Sequence, residues 1–200
     1  MDSVSDQELI EKYKRGQVQA FNVLTWRWQG RILNFLYRYL GNITDAEDIC
    51  QTTFLKVFQK LKHLQDTQKF SAWLYQIALN QARDYFRRKK RQSVLSLNQT
   101  IGNAADDTLE AILADDSELS PDHDLQQKEM QKILSESLQR ISEDQRVVII
   151  MKIFENLKFS EIVDILKVPE GTVKSRLYTG LKSLRTVLER SHLGKEVWKS

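Results

Sequence analysis

The sequence predicts an all-α protein made of two small helical domains, a bundle followed by a helix-turn-helix, joined by an acidic flexible linker. Three observations carry that expectation. Only 2 prolines and 7 glycines interrupt 200 residues, so long helices meet few breakers. Apolar residues recur at helical spacing, and no stretch alternates in the manner of a strand. The charges are segregated: residues 1–92 carry a net +7, residues 93–125 a net −8 with no basic group, and residues 126–200 a net +4. Two basic blocks joined by an acidic segment suit two domains that each approach a polyanion.

The first helix opens at Ser5-Asp6-Gln7-Glu8, spaced as a capping box, and closes in the basic turn Lys14-Arg15 before Gly16. A second runs from Val18 to Leu40 and stops at Gly41-Asn42. Thr44-Asp45-Ala46-Glu47 predicts another capping box and a third helix reaching Leu61. Lys62 to Lys69 is a polar loop. A fourth helix runs from Phe70 to Lys90, ending in the basic run Arg87 to Arg91.

The stretch 93–125 is rich in Ser, Asn, Asp and Ala and has no sustained apolar stripe, so it reads as a tether with one helical turn near Leu109 to Leu113. In the last block, Leu125 to Ile141 is amphipathic. Ser142-Glu143-Asp144-Gln145 is a third capping box, opening a helix through Phe154. A short helix spans Ser160 to Leu166, Lys167 to Gly171 form a turn, and a final helix runs from Thr172 to Arg190.

Several function classes fall on composition. The longest strongly apolar run, Val147 to Met151, is far below the roughly 18–20 residues that span a bilayer, so no membrane insertion is expected. The N-terminus is acidic where a signal peptide is basic and then apolar. A single cysteine, Cys50, forms no intramolecular disulfide and points to a reducing, cytoplasmic setting. His63, His123 and His192 have no helical metal-ligand spacing, and Asp122-His123-Asp124 is a weak metal candidate within the acidic linker. No phosphate-cradling glycine loop occurs. No catalytic residue, metal or cofactor is expected, and a recombinase would need strands that are not found.

A short helix, a tight turn and a longer helix is the arithmetic of a helix-turn-helix. Its buried side reads Ile162, Ile165, Leu166, Val168, then Val173, Leu177, Leu181, Leu184 and Leu188. At 100° per residue, Thr172, Ser175, Thr179 and Lys182 point away from that stripe, Arg176 and Tyr178 flank it, and Lys174 lies nearer to it. Short hydroxyl side chains with Lys and Arg suit a major groove, where a good bidentate pair discriminates by roughly 1–3 kcal/mol. A solvated face on a helical hairpin has the same geometry, so spacing alone leaves both readings open.

The third helix has a core stripe of Cys50, Phe54, Val57, Phe58 and Leu61, and a second face of Asp45, Asp48, Thr52, Leu55 and Gln59. Acidic groups in a first turn also serve the helix dipole, and one surface leucine is ordinary. On the fourth helix Trp73, Tyr75, Tyr85 and Phe86 interleave with Arg83, Arg87 and Arg88, with Asn80 between them. Phe70, Leu74, Ile77, Ala78 and Tyr85 face one side; Tyr75, Leu79 and Phe86 face the other. Such a helix is either deeply buried or has a second surface to cover. Exposed aromatics would stack on unpaired bases while Arg and Lys neutralise phosphates.

The segments LQRISEDQR, FSEIV and VPEGTVKSRL within residues 126–190 resemble region four of bacterial sigma factors, in the extracytoplasmic-function (ECF) group. DAEDICQTTFLKVFQKL resembles the part of region two that docks on the β′ clamp helices of RNA polymerase, and FSAWLYQIALNQARDYFRRKKR resembles the segment that reads and melts the −10 element. The resemblance implies a sigma factor that binds core polymerase and directs it to promoters. It implies core contacts at Asp45, Asp48, Gln51, Thr52 and Leu55. It implies −10 contacts at His63, Leu64, Gln65, Lys69, Trp73, Asn80, Arg83, Arg87 and Arg88. It implies −35 contacts at Thr172, Lys174, Ser175, Arg176, Tyr178, Thr179 and Lys182. The family often carries Arg at positions 76, 179 and 181, where this chain has Gln76, Thr179 and Leu181.

The implied partners are the polymerase core through the β′ clamp helices and β flap, promoter DNA as duplex and as melted non-template strand, and an anti-sigma factor, the chain being a monomer when free. Two other classes compete. A dimeric helix-turn-helix regulator of duplex operators leaves the aromatic and basic fourth helix unused, and a helical adaptor for proteins leaves both basic blocks unexplained.

Overall fold

The computed structural model describes residues 4–95 and 121–190, and no strand occurs among them. Residues 96–120, which hold most of the tether and the helical turn expected near 109–113, lie outside the described residues. The chain divides into two compact units, residues 1–36 with 43–112, and residues 37–42 with 113–200.

In the first unit α1 (Asp6–Lys14) is capped as expected: the Ser5 hydroxyl accepts from the Glu8 amide at 3.2 Å, and the Ser5 amide donates to the Glu8 carboxylate at 3.0 Å. Gly16, at φ 95°, ends it. α2 (Gln19–Leu40), whose last four residues fall in the second unit, follows, then α3 (Ile43–Lys60), two 3-10 turns at Leu61–His63 and Thr67–Lys69, and α4 (Phe70–Leu95). Two boundaries differ from the sequence reading. Gly41 takes the left-handed φ of 77° and closes α2, and the chain re-enters helix at Ile43; Thr44 therefore sits inside the first turn, and the capping box expected there does not form. α4 continues past Lys90 to Leu95, because Arg91 to Leu95 contain neither Gly nor Pro.

The core of this unit is aromatic. Tyr75 on α4 meets Phe35 and Trp28 of α2 edge-on, with ring centroids 5.3 and 6.3 Å apart, and Phe70 meets Trp28 at 5.8 Å. Tyr75 and Leu79 are fully buried, so α4 is covered on both faces along its middle, and those two do not form an outward side. Ile77 and Tyr85 are only half-buried. On α3 the buried stripe is Ala46, Ile49, Cys50, Thr53, Phe54 and Val57. Thr53 is admitted because its hydroxyl donates to the Ile49 carbonyl at 2.7 Å. Phe58, expected in the core, is exposed at its edge against the rings of Tyr13 and Phe21. α1 is tied down by Asp6, which pairs with Arg27 and accepts from Trp28 Nε1 at 2.9 Å, and by the Tyr13 hydroxyl donating to the Phe58 carbonyl at 2.8 Å.

The second unit contains α5 (Pro121–Gln139), α6 (Glu143–Ile149), a π-helical turn (Ile150–Phe154), α7 (Phe159–Leu166) and α8 (Glu170–Arg190). Pro121 opens α5 at a position where its missing N–H costs nothing, and Asp122-His123-Asp124 lie in its first turn. Val147 to Met151 are all buried, and a helix apolar all round belongs inside a core. Ser142 is the N-cap of α6 by backbone conformation but makes no side-chain cap bond. Gln145, expected to close that box, is directed across to α8.

α7 opens with the Lys158 amide donating to Glu161 Oε2 at 2.7 Å and ends with Lys167 in the left-handed conformation, φ 56° and ψ 40°. The Pro169 carbonyl then accepts from the Thr172 and Val173 amides at 2.9 and 3.1 Å. The turn is thus Lys167 to Pro169, and Glu170 and Gly171 belong to the first turn of α8. The buried stripe of α8 is Val173, Leu177, Gly180 and Leu184. Leu181, expected in it, is 39% exposed. Gly180 takes the inward position because a Cβ there would lie 2.9 Å from Gln145 Cβ and 3.0 Å from Ile149 Cδ1, so only glycine permits this approach of α6 and α8. Leu166, Val168 and Leu188 are half-buried.

Candidate nucleic-acid interface

The second unit presents α8 with its apolar stripe inward and Ser175, Tyr178, Thr179 and Lys182 exposed; Thr172 is half-buried. Tyr178 is 68% exposed. Lys174 is also exposed and not drawn toward the core. Its ammonium lies 2.6 Å from Glu170 Oε1 and 5.4 Å from the Phe159 ring centroid. The hydrogen bond and charge of Glu170 raise its pKa above the ordinary lysine value. Arg176 is half-buried and donates from Nη2 to Asp144 Oδ2 at 2.6 Å. The Thr179 hydroxyl donates to the Ser175 carbonyl at 2.7 Å, leaving its oxygen as an acceptor. The seven sequence-predicted residues share one helix, which offers hydroxyls, one aromatic ring and cations to a groove-sized partner.

In the first unit, His63 and Lys69 are exposed on the two 3-10 turns, and between the turns Gln65 is exposed and Leu64 half-buried. Asp66 shapes this loop by accepting from the Gln68 amide at 3.0 Å. Trp73 is half-buried with its ring 6.2 Å from that of Phe70; Asn80 is exposed and Arg83 half-buried. Arg87 pairs with Asp84, and Arg88 is exposed beside it. Lys89 is held by Asp45 at 3.1 Å and by the Tyr85 hydroxyl at 3.0 Å, which together raise its pKa. Asp45 therefore faces α4, apart from the other α3 residues grouped with it. Asp48, Gln51 and Leu55 are exposed, Leu55 by 64%, and the half-buried Thr52 hydroxyl donates to the Asp48 carbonyl at 2.8 Å.

Sequence reasoning missed a groove of about 770 Å³ between α2 and α3, lined by Phe21, Thr25, Gln29 and Leu33 on one side and Glu47, Gln51, Phe54 and Leu55 on the other. On α2 Trp26 is also 84% exposed, and Val23 is exposed as well. The signal was present: at 100° per residue both fall off the α2 stripe of Phe21, Leu24, Trp28, Ile32 and Phe35. Cys50 closes the groove floor. Burial, reinforced by the charge of Glu47, pushes its thiol up to about 12. Its native-state alkylation by iodoacetamide at pH 8, followed by mass spectrometry, should therefore be slow until denaturant is added, since the thiolate is the nucleophile. Rapid native labelling would show the thiol to be exposed. The sign for stability follows: full below the ordinary thiol pKa, and falling as the pH rises toward 12, because the unfolded state loses its proton first.

The family model for Sigma-70 region 2 matches residues 24–92 and that for Sigma-70 region 4 matches residues 131–184. The ECF RNA polymerase sigma factor SigW of Bacillus subtilis is 31% identical over 179 residues, covering 90% of this chain and 94% of that protein. This chain belongs to the ECF group of the sigma-70 family.

The RNA polymerase sigma-H factor of Pseudomonas aeruginosa is 28% identical, covering 92% of this chain and 94% of that protein. The sigma factor RpoE of Bartonella quintana, solved with the anti-sigma factor NepR, shares the fold with a TM-score of 0.67 at 20% identity, over 86% of this chain and 98% of that one. The function that goes with membership is promoter-specific transcription initiation by RNA polymerase. In this sigma factor the region 2 match takes in most of α2 together with α3 and most of α4, and the region 4 match carries the helix-turn-helix through Leu184. Among the described residues no helix is long and apolar enough to cross a membrane.

Proposed function

We propose that residues 1–92 dock on core polymerase and capture the melted −10 strand, that residues 126–200 hold the −35 duplex through α8, and that the acidic segment 93–125 threads between them. The observation that carries this reading is the pairing, in one chain, of an exposed hydroxyl-rich recognition helix with a separate α3 face exposing Asp48, Gln51 and Leu55. The core contacts are Asp45, Asp48, Gln51, Thr52 and Leu55 against the β′ clamp helices, Asp45 also pairing with Lys89 of α4, and region four meets the β flap. The −10 contacts are His63, Leu64, Gln65, Lys69, Trp73, Asn80, Arg83, Arg87 and Arg88; those at −35 are Thr172, Lys174, Ser175, Arg176, Tyr178, Thr179 and Lys182. The work is binding, with no bond made or broken by this chain, in the cytoplasm and as a monomer when free. An anti-sigma factor is the regulatory partner, a reading supported by the fold shared with RpoE in its complex with NepR.

Run-off transcription with sigma-free bacterial core polymerase and a library of promoter-bearing DNA tests this. Discrete new transcripts with aligned −35 and −10 elements upstream of their starts are expected only when the protein is added. Tight sequence-specific duplex binding by the protein alone, with no association with core polymerase, would instead mark a dimeric operator-binding regulator.

A further inference from the structure

The close crossing at Gly180 brings the first turn of α6 against the flank of α8, and two adjacent α6 side chains reach across it. Asp144 Oδ2 accepts from Arg176 Nη2 at 2.6 Å, and Gln145 Nε2 lies 3.5 Å from Thr179 Oγ1. Both partners on α8 are residues of the face assigned to the −35 element. We propose that Asp144 is a positioning residue for promoter recognition: it anchors one edge of the Arg176 guanidinium, so that the remaining N–H groups are presented to DNA from a fixed place beside Ser175 and Thr179. This rests on the reading of α8 as the −35 helix.

The physical case has two parts. An arginine on a helix surface has several rotatable bonds, and ordering them on binding costs free energy that an anchor removes beforehand. The guanidinium carries five donors in a rigid fork, so an ion pair through Nη2 leaves others available. The carboxylate also partly neutralises the cation, which weakens its general pull on phosphates while leaving its direction fixed. Asp144 thus favours the correct register over non-specific attraction, since phosphate contacts position and base contacts specify. Its removal has an unusual sign: discrimination falls, and attraction to arbitrary duplex is kept or increased.

The test uses holoenzyme assembled from the full chain and core polymerase. Each promoter recovered by run-off transcription is paired with a copy whose −35 element is scrambled, and the transcript ratio measures discrimination. Arg176→Ala should lower that ratio about tenfold, within the range of a lost bidentate contact. Asp144→Ala should lower it about threefold, as expected for coupled neighbours, Asp144→Glu should restore it, and Asp144→Ala should add nothing in the Arg176→Ala background. Binding of the Asp144→Ala holoenzyme to promoter-free duplex should be unchanged or tighter.

If Arg176→Ala leaves the ratio unchanged, the reading of Arg176 as a promoter contact fails and the anchor with it. If Arg176→Ala lowers the ratio but Asp144→Ala does not, or its loss adds in full to that of Arg176→Ala, the anchor is wrong and the promoter contact stands. A loss in Asp144→Ala that comes with weaker binding to promoter-free duplex would indicate general damage to the unit, and overturns the proposal too.

Discussion

Replacing Leu55 with aspartate should weaken association of this sigma factor with core RNA polymerase by about 30-fold or more, the scale of a single interface hot spot. Leu55 is 64% exposed on the rim of the α2–α3 groove. An apolar side chain so placed gains by removal from water at an interface, whereas an aspartate there would be desolvated without a partner. Because Leu55 adds little to the core of its own unit, the melting temperature of the free chain should hardly change. Fluorescence anisotropy of labelled protein titrated with core polymerase measures the first quantity and calorimetry the second. An affinity within threefold of the parent would remove Leu55 from the docking surface; a fallen melting temperature would show that the residue matters to folding instead.

Gly180→Leu should destabilise the second unit by about 1–3 kcal/mol, the usual cost of overpacking a close contact. The position leaves 2.9 Å between an added Cβ and Gln145 Cβ, and Gln145 Cβ is fixed to the α6 backbone, so one helix must move. Movement of α8 away from α6 also separates Arg176 from Asp144. Transcription from promoters that depend on a −35 element should fall, while binding to core polymerase through the first unit persists. Gly180→Ala should be milder, since alanine regains roughly 1 kcal/mol of helix propensity against the strain. Thermal unfolding by circular dichroism and run-off transcription with matched promoters read the two effects. A Gly180→Leu protein as stable as its parent would mean that the helices separate without loss and that the crossing is loosely packed.

Much of this molecule was legible from local signals. The Ser5–Glu8 capping box forms as its spacing predicts, because both partners lie within one turn of each other. Gly16 and Gly41 end helices through a positive φ that glycine adopts without strain. The exposure of Ser175, Tyr178 and Thr179 also follows from the helical period, whereas the turn is two residues shorter than expected because α8 begins at Glu170. The boxes expected at Thr44 and Ser142 failed for a different reason. Thr44 lost the cap position when Gly41 let α3 begin at Ile43, and Gln145 found a partner on α8.

The α2–α3 groove and the exposed Trp26 were visible only as residues off a stripe, since no partner helix is named by one helix's periodicity.

Helix content, the order of the elements, the segregation of charge and membership in the sigma-70 family are properties of near neighbours along the chain and of motif spacing, and they can be read in one dimension. Which residue stands at a crossing cannot. Leu181 and Gly180 both sit close to the inward side of α8, and hydrophobicity favours the leucine. The distance between α6 and α8 reverses that choice, because the backbones approach within a contact that leaves no room for a Cβ. The same approach places Asp144 beside Arg176, 32 residues away in sequence, and commits an arginine of α8 to a carboxylate that no spacing rule connects to it.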